Sequence, residues 1–291
     1  MTTRTDPLVQ KREAVRPYYA LGVLLGADDF TDEQSYHRGR LARALAYLHG
    51  SGTVAGLAVA VEPGTPAQEE RLLVQPGLAV DRLGRLIEVT QPLCIRLGRW
   101  FAQQAPGLLA RRLYSAPIPG VDLPEGDGAA YVVADVFVRF VICEAEGKTP
   151  AFTQSPFEPV GGIAPARLRD SAEVIGPLLR QEETLPVPAS VWDGLDTNSA
   201  AAFRTALHER ILAGWREGTA HGSLGGLEPE VVHAPGQDTT SLWLARVAIP
   251  VTPPAAEGEA PARVEGAPPV VGNLARRFVY APNALAELLI G

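Results

Sequence analysis

The stretch GADDFTDEQSYHRGRLARALAYLHGSGTVAGLAVAVE, from Gly26 to Glu62, changes period halfway along and so sets the class of fold. From Thr31 to His49 the spacing is helical. Thr31 is the expected N-cap, with Gln34 three residues on at the capping-box distance. Asp32 and Glu33 fall in the first turn, where the helix dipole favours negative charge. Leu41, Leu45 and Leu48 recur at i, i+4 and i+7 and predict the buried stripe, with His37 at its border. Gly50 is the expected stop, and Asp28 and Asp29 are expected to shape the turn before the helix. Beyond Gly52 the period becomes that of a strand.

Upstream, YYALGVLLG reads as a strand or short extended segment, and MTTRTDPLVQKREAVRP, which lacks the apolar core of a secretory signal, as a polar and partly disordered arm. Downstream, TVAGLAVAVE (Thr53–Glu62), RLLVQPGLAV (Arg71–Val80) and RLIEVTQPLCIRL (Arg85–Leu97) are β-rich, with Asp81 to Gly84 as a tight hairpin turn. A short helix is expected at Arg99–Gln104. AAYVVADVFVRFVICEA (Ala129–Ala145) is the strongest strand, with Val136, Val138, Phe140 and Ile142 on one face. Pro165–Gln181 and Thr197–Arg216 read as helices, the second with Phe203, Leu207, Ile211 and Trp215 four residues apart in series. Ser241–Val251 reads as a strand, and Pro253–Pro269 as an exposed, flexible Pro/Ala/Glu loop. The chain closes with a strand-like RRFVYAP and a short helix, NALAELLI, and no internal repeat survives counting.

The fold class is therefore α+β, with a β-rich N-terminal half carrying one capped helix and a mixed helix/strand C-terminal half. The expected division is an arm at 1–20, a β-rich region at 21–150 and a mixed region at 151–291, the last two compatible with one continuous domain. With 291 residues, 46% hydrophobic, there is ample material for a core, and 29 Gly and 26 Pro imply many turns. A formal net charge of −7 disfavours nucleic acid or an anionic membrane as the main partner, and no run of 18 apolar residues offers a spanning helix. Cys94 and Cys143 lie in apolar runs and read as buried free thiols of a reducing compartment, a disulfide between them staying open.

Glu33 and His37, one helical turn apart, share a face and can reach one metal ion, but a catalytic metal site normally takes three protein ligands. Capping and dipole complementarity explain more of the same residues. HGSG at His49–Gly52 and HGSLGG at His221–Gly226 lack the first glycine of a nucleophile elbow, so loop punctuation is the expected role. Gly147-Lys148-Thr149 imitates the end of a phosphate loop, but Ile142 stands where its first glycine belongs and Pro150 follows. No H-E-x-x-H, C-x-x-C or strand-following G-x-G-x-x-G occurs. The expectation is no catalytic residue, no cofactor and no metal, with Glu33 and His37 the weak metal candidates.

The order of the segments carries a signal that no single motif does. LLGADDF (Leu24–Phe30), DEQSYHR (Asp32–Arg38), LHGSGTVAGLAV (Leu48–Val59) and PGLAVDRLGRLIEV (Pro76–Val89) together resemble a pattern found in structural proteins of phage tails and contractile injection systems. The closing ARRFVYAPNALAELL is similar to that family's last strand and helix. The matches bracket nearly the whole chain, with little to match between Ser155 and Gly236. The resemblance implies a structural subunit at the baseplate, fibre root or tail adaptor, and no reaction. Its signature would rest on Asp28, Asp29, Thr31, Gln34, Tyr36, His37, Gly50, Gly56, Gly77, Asp81 and Gly84. The implied partners are other tail or baseplate proteins and further copies of the chain in a symmetric ring or trimer, assembled in the cytoplasm. Two other classes compete: a cell-envelope polymer hydrolase built on the acids of Asp28–His37, and a carbohydrate-binding module stacking sugars on Trp192 or Trp243. For Trp243, inside an apolar strand, core packing is the expectation.

Overall fold

The run expected to hold the strongest strand does so. Ala130 to Glu144 is one extended strand, with Val136, Val138, Phe140 and Ile142 in a core on one face and Tyr131, Val133 and Phe137 packed on the other. The computed structural model describes residues 3–6, 8, 15–65, 68–124, 128–145, 148–150, 163–165, 167–189, 199–213, 230–256 and 258–280, the side chains of 148–150, 163–165, 210 and 213 aside.

In chain order, β1 (Thr3–Arg4) precedes the long helix α1 (Ala27–His49). Six short strands follow: β2 (Gly52–Gly56), β3 (Val59–Glu62), β4 (Arg71–Val74), β5 (Gly77–Val80), β6 (Leu86–Val89) and β7 (Leu93–Arg96). The helices α2 (Leu97–Gln103) and α3 (Pro106–Arg111) lead into the central strand β8 (Ala130–Glu144). Next come β9 (Lys148–Pro150), β10 (Ile163–Pro165), β11 (Leu168–Leu179), α4 (Ala200–Ala213), β12 (Leu242–Thr252), β13 (Ala262–Arg263) and β14 (Val270–Gly272). The α+β class holds.

Each β-rich run of the first half is two strands rather than one. The run at Thr53–Glu62 bends at Gly56-Leu57, and the next bends at Gln75-Pro76, where proline removes a ladder donor. The third bends before Pro92. Consequently β2, β5 and β6 form one three-stranded antiparallel sheet, and β3, β4 and β7 form another. At the bend, Gly56 and Gly77 cross so closely that a methyl group on either would collide with the carbonyl oxygen of Pro76 or of Ala55.

The larger sheet is built on β8, with β11 along one edge and β12 along the other. The strand β1 continues that second edge, pairing Thr3 with Cys143 and Arg4 with Ile142. One core joins the bent meander to this sheet: Leu57, Leu72, Val74 and Ile87 pack with Val136, Val138, Leu244 and Ile249.

Two expectations fail here, and two others are qualified. Pro165–Gln181 is not a helix; Leu168–Leu179 is an edge strand, in which Glu173 lies opposite Arg139 and accepts its guanidinium hydrogen bonds at 2.9 and 2.7 Å. Gly176-Pro177 falls in the register shift between Ile175 and Leu178, so the proline that would break a helix sits in a bulge. Most described residues of the Pro253–Pro269 loop are exposed as expected, but Ala262 and Arg263 pair with Thr252 and Val251, and Arg263 reaches Glu70 at 2.6 Å. Of the polar arm, Thr3 and Arg4 are in the sheet, and Asp6 and Leu8 are buried. Cys94 is exposed, Cys143 is buried, and both are free thiols. The helix expected at Arg99–Gln104 is present as α2, and the second-half helix is α4, where Phe203 and Leu207 are half-buried but Ile211 is exposed. Trp215, Trp192, His221–Gly226 and the closing helix lie outside the described residues.

Candidate functional site

The acid-rich segment starts a helix five residues earlier than its pattern implies. Gly26 is the N-cap of α1, and Asp29 rather than Thr31 supplies the capping interaction, accepting the Gly26 N–H at 2.7 Å. Thr31 lies one turn inside, its hydroxyl donating to the Ala27 carbonyl at 3.0 Å. Asp28 and Asp29 therefore sit in the first helical turn, where they complement the dipole, and Gln34 is exposed on the helix surface. Gly50 ends the helix with a positive φ and an N–H donated to Ala46 at 3.0 Å, as expected.

The leucine stripe is the larger surprise. Leu41 and Leu48 are 58% and 76% exposed, and the residues that α1 buries are Ala42 and Ala46. Small side chains face the body because the hairpin turn between β5 and β6 comes in against them. Gly84, at φ +80°, rests so near the Ala42 carbonyl that any Cβ there would clash. The same turn is closed by Asp81, which accepts the Leu83 and Arg85 N–H groups, each at 2.9 Å, and the Arg85 guanidinium at 2.7 Å. Burial pushes the Asp81 carboxyl up despite the Arg85 charge beside it. Arg85 also meets Asp6 at 3.3 Å, and Arg38 of α1 approaches Asp6 at 3.5 Å, so the arm, the helix and the hairpin share one charge cluster.

His37 is not a packing residue. Its side chain is exposed and meets Glu33 at 3.3 Å, while Tyr36 is half-buried and stands edge-on to its ring. Glu33 also accepts the Tyr19 hydroxyl, which holds the Glu33 carboxyl below its ordinary range. Among the described residues no group of three or more His, Cys, Asp or Glu is placed to hold a metal ion.

The closing strand completes this unit. Thr53 donates to the Arg277 carbonyl at 2.9 Å and Val279 donates to the Thr53 carbonyl at 2.8 Å, so residues 277–279 run beside β2. Asn273 brackets Val59 with two hydrogen bonds of 2.9 Å, and Arg276 donates to the Leu57 carbonyl at 2.7 Å. Burial lowers the Arg276 guanidinium to about 10. The blocks that carried the resemblance, distant in sequence, thus meet around α1, the β5–β6 hairpin and β2–β3. Their work is turn closure and close backbone approach.

Two buried polar groupings had no sequence motif. In the first, the ring nitrogens of His233 face the carbonyls of Glu230 and Ser241, both at 2.9 Å, with the Ser241 hydroxyl 3.3 Å away. Ser241 is buried, and its hydroxyl donates to the Asp238 carbonyl at 2.6 Å. Both ring nitrogens lie against backbone carbonyls and the Ser241 hydroxyl donates to a third, so the grouping pins a loop over the sheet. Glu230 beside it is pushed up by burial, against the pull of Arg277 and His233. In the second, Asp135 of β8 accepts Arg246 of β12 bidentately at 2.8 and 3.0 Å, and Arg180 lies 3.5 Å away. Arg246 also donates to the carbonyls of Pro119 and Pro186, each at 2.8 Å, tying two loops to the sheet. Trp243 is fully buried in the core, unavailable for stacking on a sugar.

What remains unused by the body is an apolar band. Along the segment 15–26 and α1, Tyr18, Leu21, Leu24, Phe30, Leu41 and Leu48 are all exposed, Leu21 and Leu24 almost completely. Isolated exposed apolar residues are ordinary, but a run of them on an extended segment and the helix it leads into is a surface suited to a partner. No protein-family model matches this chain, and no curated protein matches it. No helix among the described residues is long and apolar enough to cross a membrane.

Proposed function

We propose that this chain is a structural subunit of a contractile phage-tail-like particle, placed at its baseplate or fibre-attachment region. The observation that carries the proposal is the exposed apolar band of the segment 15–26 and α1, set against a body that has an apolar core of its own. Large apolar side chains held toward solvent mark a contact made with another protein. The convergence of the family-like blocks on a scaffold of turns supports the same view, because their residues hold backbone together and line no reactive centre. Such a subunit contacts other tail proteins and further copies of itself in a symmetric assembly, put together in the cytoplasm.

Co-expression of the tagged chain with the tube, sheath and baseplate proteins encoded beside it tests this. Co-purification of tail components, and loss of intact particles when the gene is deleted, is the expected result. A chain that captures no tail component, and whose deletion leaves particles intact, overturns it.

A further inference from the structure

We infer that the N-terminal arm is an exchangeable strand: between copies of this chain, Thr3, Arg4, Asp6 and Leu8 of one copy occupy the slot that they fill in the single chain. The inference deepens the proposed function and rests on it only for the setting in which the copies meet. Three elements build the slot. At the end of β8, beyond Val138 where the pairing with β12 ends, Thr3 and Arg4 pair with Cys143 and Ile142. Further along the arm, the buried Asp6 carboxylate lies 3.3 Å from Arg85 of the β5–β6 turn and 3.5 Å from Arg38 of α1. Leu8 then packs with Ala42 and Leu83, against the bare surface of Gly39. A strand edge to complete, a socket of two guanidinium groups and an apolar foothold make a peptide-recognition site. Its ligand is the start of this chain.

The connector reaches further than its own chain requires. Leu8 sits beside Gly39, twelve residues into α1 from Ala27, which is about 18 Å along the helix axis. Residues 9–26, eighteen in all, join Leu8 to the helix start and span up to about 60 Å when extended. A neighbour's slot therefore lies within the arm's range without any change to the body. Exchange remakes the same contacts, and a symmetric assembly supplies the local concentration that drives it. The connector's own side chains favour the crossing. Val15, Tyr18, Leu21, Val23 and Leu24 are each more than half exposed in the single chain. On a connector that returns to its own body these groups stay in water. On one that crosses between two bodies they gain a second surface to bury against.

The test uses full-length chains and the direct opposition of Thr3 to Cys143, a buried free thiol. Two differently tagged chains are mixed, both Cys94→Ser. One carries Thr3→Cys and Cys143→Ser, and the other keeps Thr3 and Cys143, so each holds a single thiol. At high concentration with oxidised glutathione the mixture is expected to give a disulfide dimer bearing both tags, and neither chain by itself to give a dimer above background. Asp6→Ala in the otherwise native chain should weaken self-association in sedimentation equilibrium at least ~10-fold. Its circular dichroism spectrum should not change, because Asp81 still holds Arg85 at 2.7 Å. A wild type that stays monomeric, a mixture that forms no two-tag disulfide, or an Asp6→Ala variant that associates as tightly as wild type overturns the inference. No two-tag disulfide in a chain that still co-purifies with tail proteins strikes down the exchange alone. The disulfide in a chain that captures no tail protein strikes down the proposed function alone.

Discussion

Four acids crowd the start of α1, whereas Asp135 and Arg246 stand in apolar stretches of long strands. The crowded set lies on the surface, bonded to its own helix and to Tyr19; the strand pair lies at the centre of the sheet, where Asp135 and Arg246 are wholly buried. Density of charge in a sequence reports a helix end, where water and the dipole make charge cheap to place. A single charge in an otherwise apolar strand has no water to turn to, so it survives only with a partner brought from another strand. The contrast says which residues the fold depends on, and it can be broken experimentally.

The largest effect is expected from Arg246→Ala, which leaves Asp135 with Arg180 at 3.5 Å as its remaining ionic partner and frees two loop carbonyls. A loss of about 3–5 kcal/mol in urea-induced unfolding is expected. A loss under about 1 kcal/mol would mean that the buried pair is not what holds the loops to the sheet. Next comes Gly84→Ala, which combines a positive φ with a collision against the Ala42 carbonyl. It should cost roughly 2 kcal/mol or more and loosen α1 in hydrogen exchange, whereas Gly98→Ala, with open space around it, should leave α1 protected.

Glu230→Gln turns the comparison toward pH. Burial raises the Glu230 carboxyl in the folded chain, so the folded state holds that proton more tightly than the unfolded one. The ionised group therefore detracts from stability above its folded pKa, and the loss fades as pH falls toward the ordinary carboxylate value. The Gln variant should be more stable than wild type at neutral pH and should converge with it in acid. A variant less stable at neutral pH would show that attraction to Arg277 outweighs burial. On the surface side, Asp29→Ala removes the bond to the Gly26 N–H and should cost about 0.5–1 kcal/mol, read as faster hydrogen exchange in the first turns of α1. The smallest effect is expected from the joint Glu33→Ala, His37→Ala variant, whose unfolding midpoint should not move. Loss of a bound metal or of a hydrolytic activity with the fold intact would reverse that view and restore the enzyme alternative.

Much of the fold was legible because period and punctuation report local backbone. The alternation of Ala129–Ala145 gave the central strand and its faces, and Asp81 to Gly84 gave a turn that the Asp81 carboxylate closes. The misread segment 168–179 shows the limit. Its charged residues recur near helical spacing, yet Arg169 and Glu173 are tolerated on a strand because it is an edge, and Gly176-Pro177 was the visible sign that a helix would not continue. Similarly, Pro76 and Pro92 marked where apparently single strands bend into two sheets. Of the candidate site, the helix and its charges were visible, but not which face would be free. Leu41, Leu45 and Leu48 look like a core stripe by hydrophobicity alone, and only the approach of Gly84 to Ala42 turns that face away from the body.

The sequence by itself determined the α+β class, the long helix with its acidic start, the central strand and the hairpin, since each follows from contacts a few residues apart. Tertiary structure alone decided that Asp135 finds Arg246, that residues 273–279 lie beside β2 and β3, and that Leu41 and Leu48 of α1 face solvent while Leu45 is half-buried. The first two depend on surfaces that meet across more than a hundred residues of chain, and the third on Gly84 reaching Ala42. Chain connectivity leaves such meetings open until close packing selects one of them.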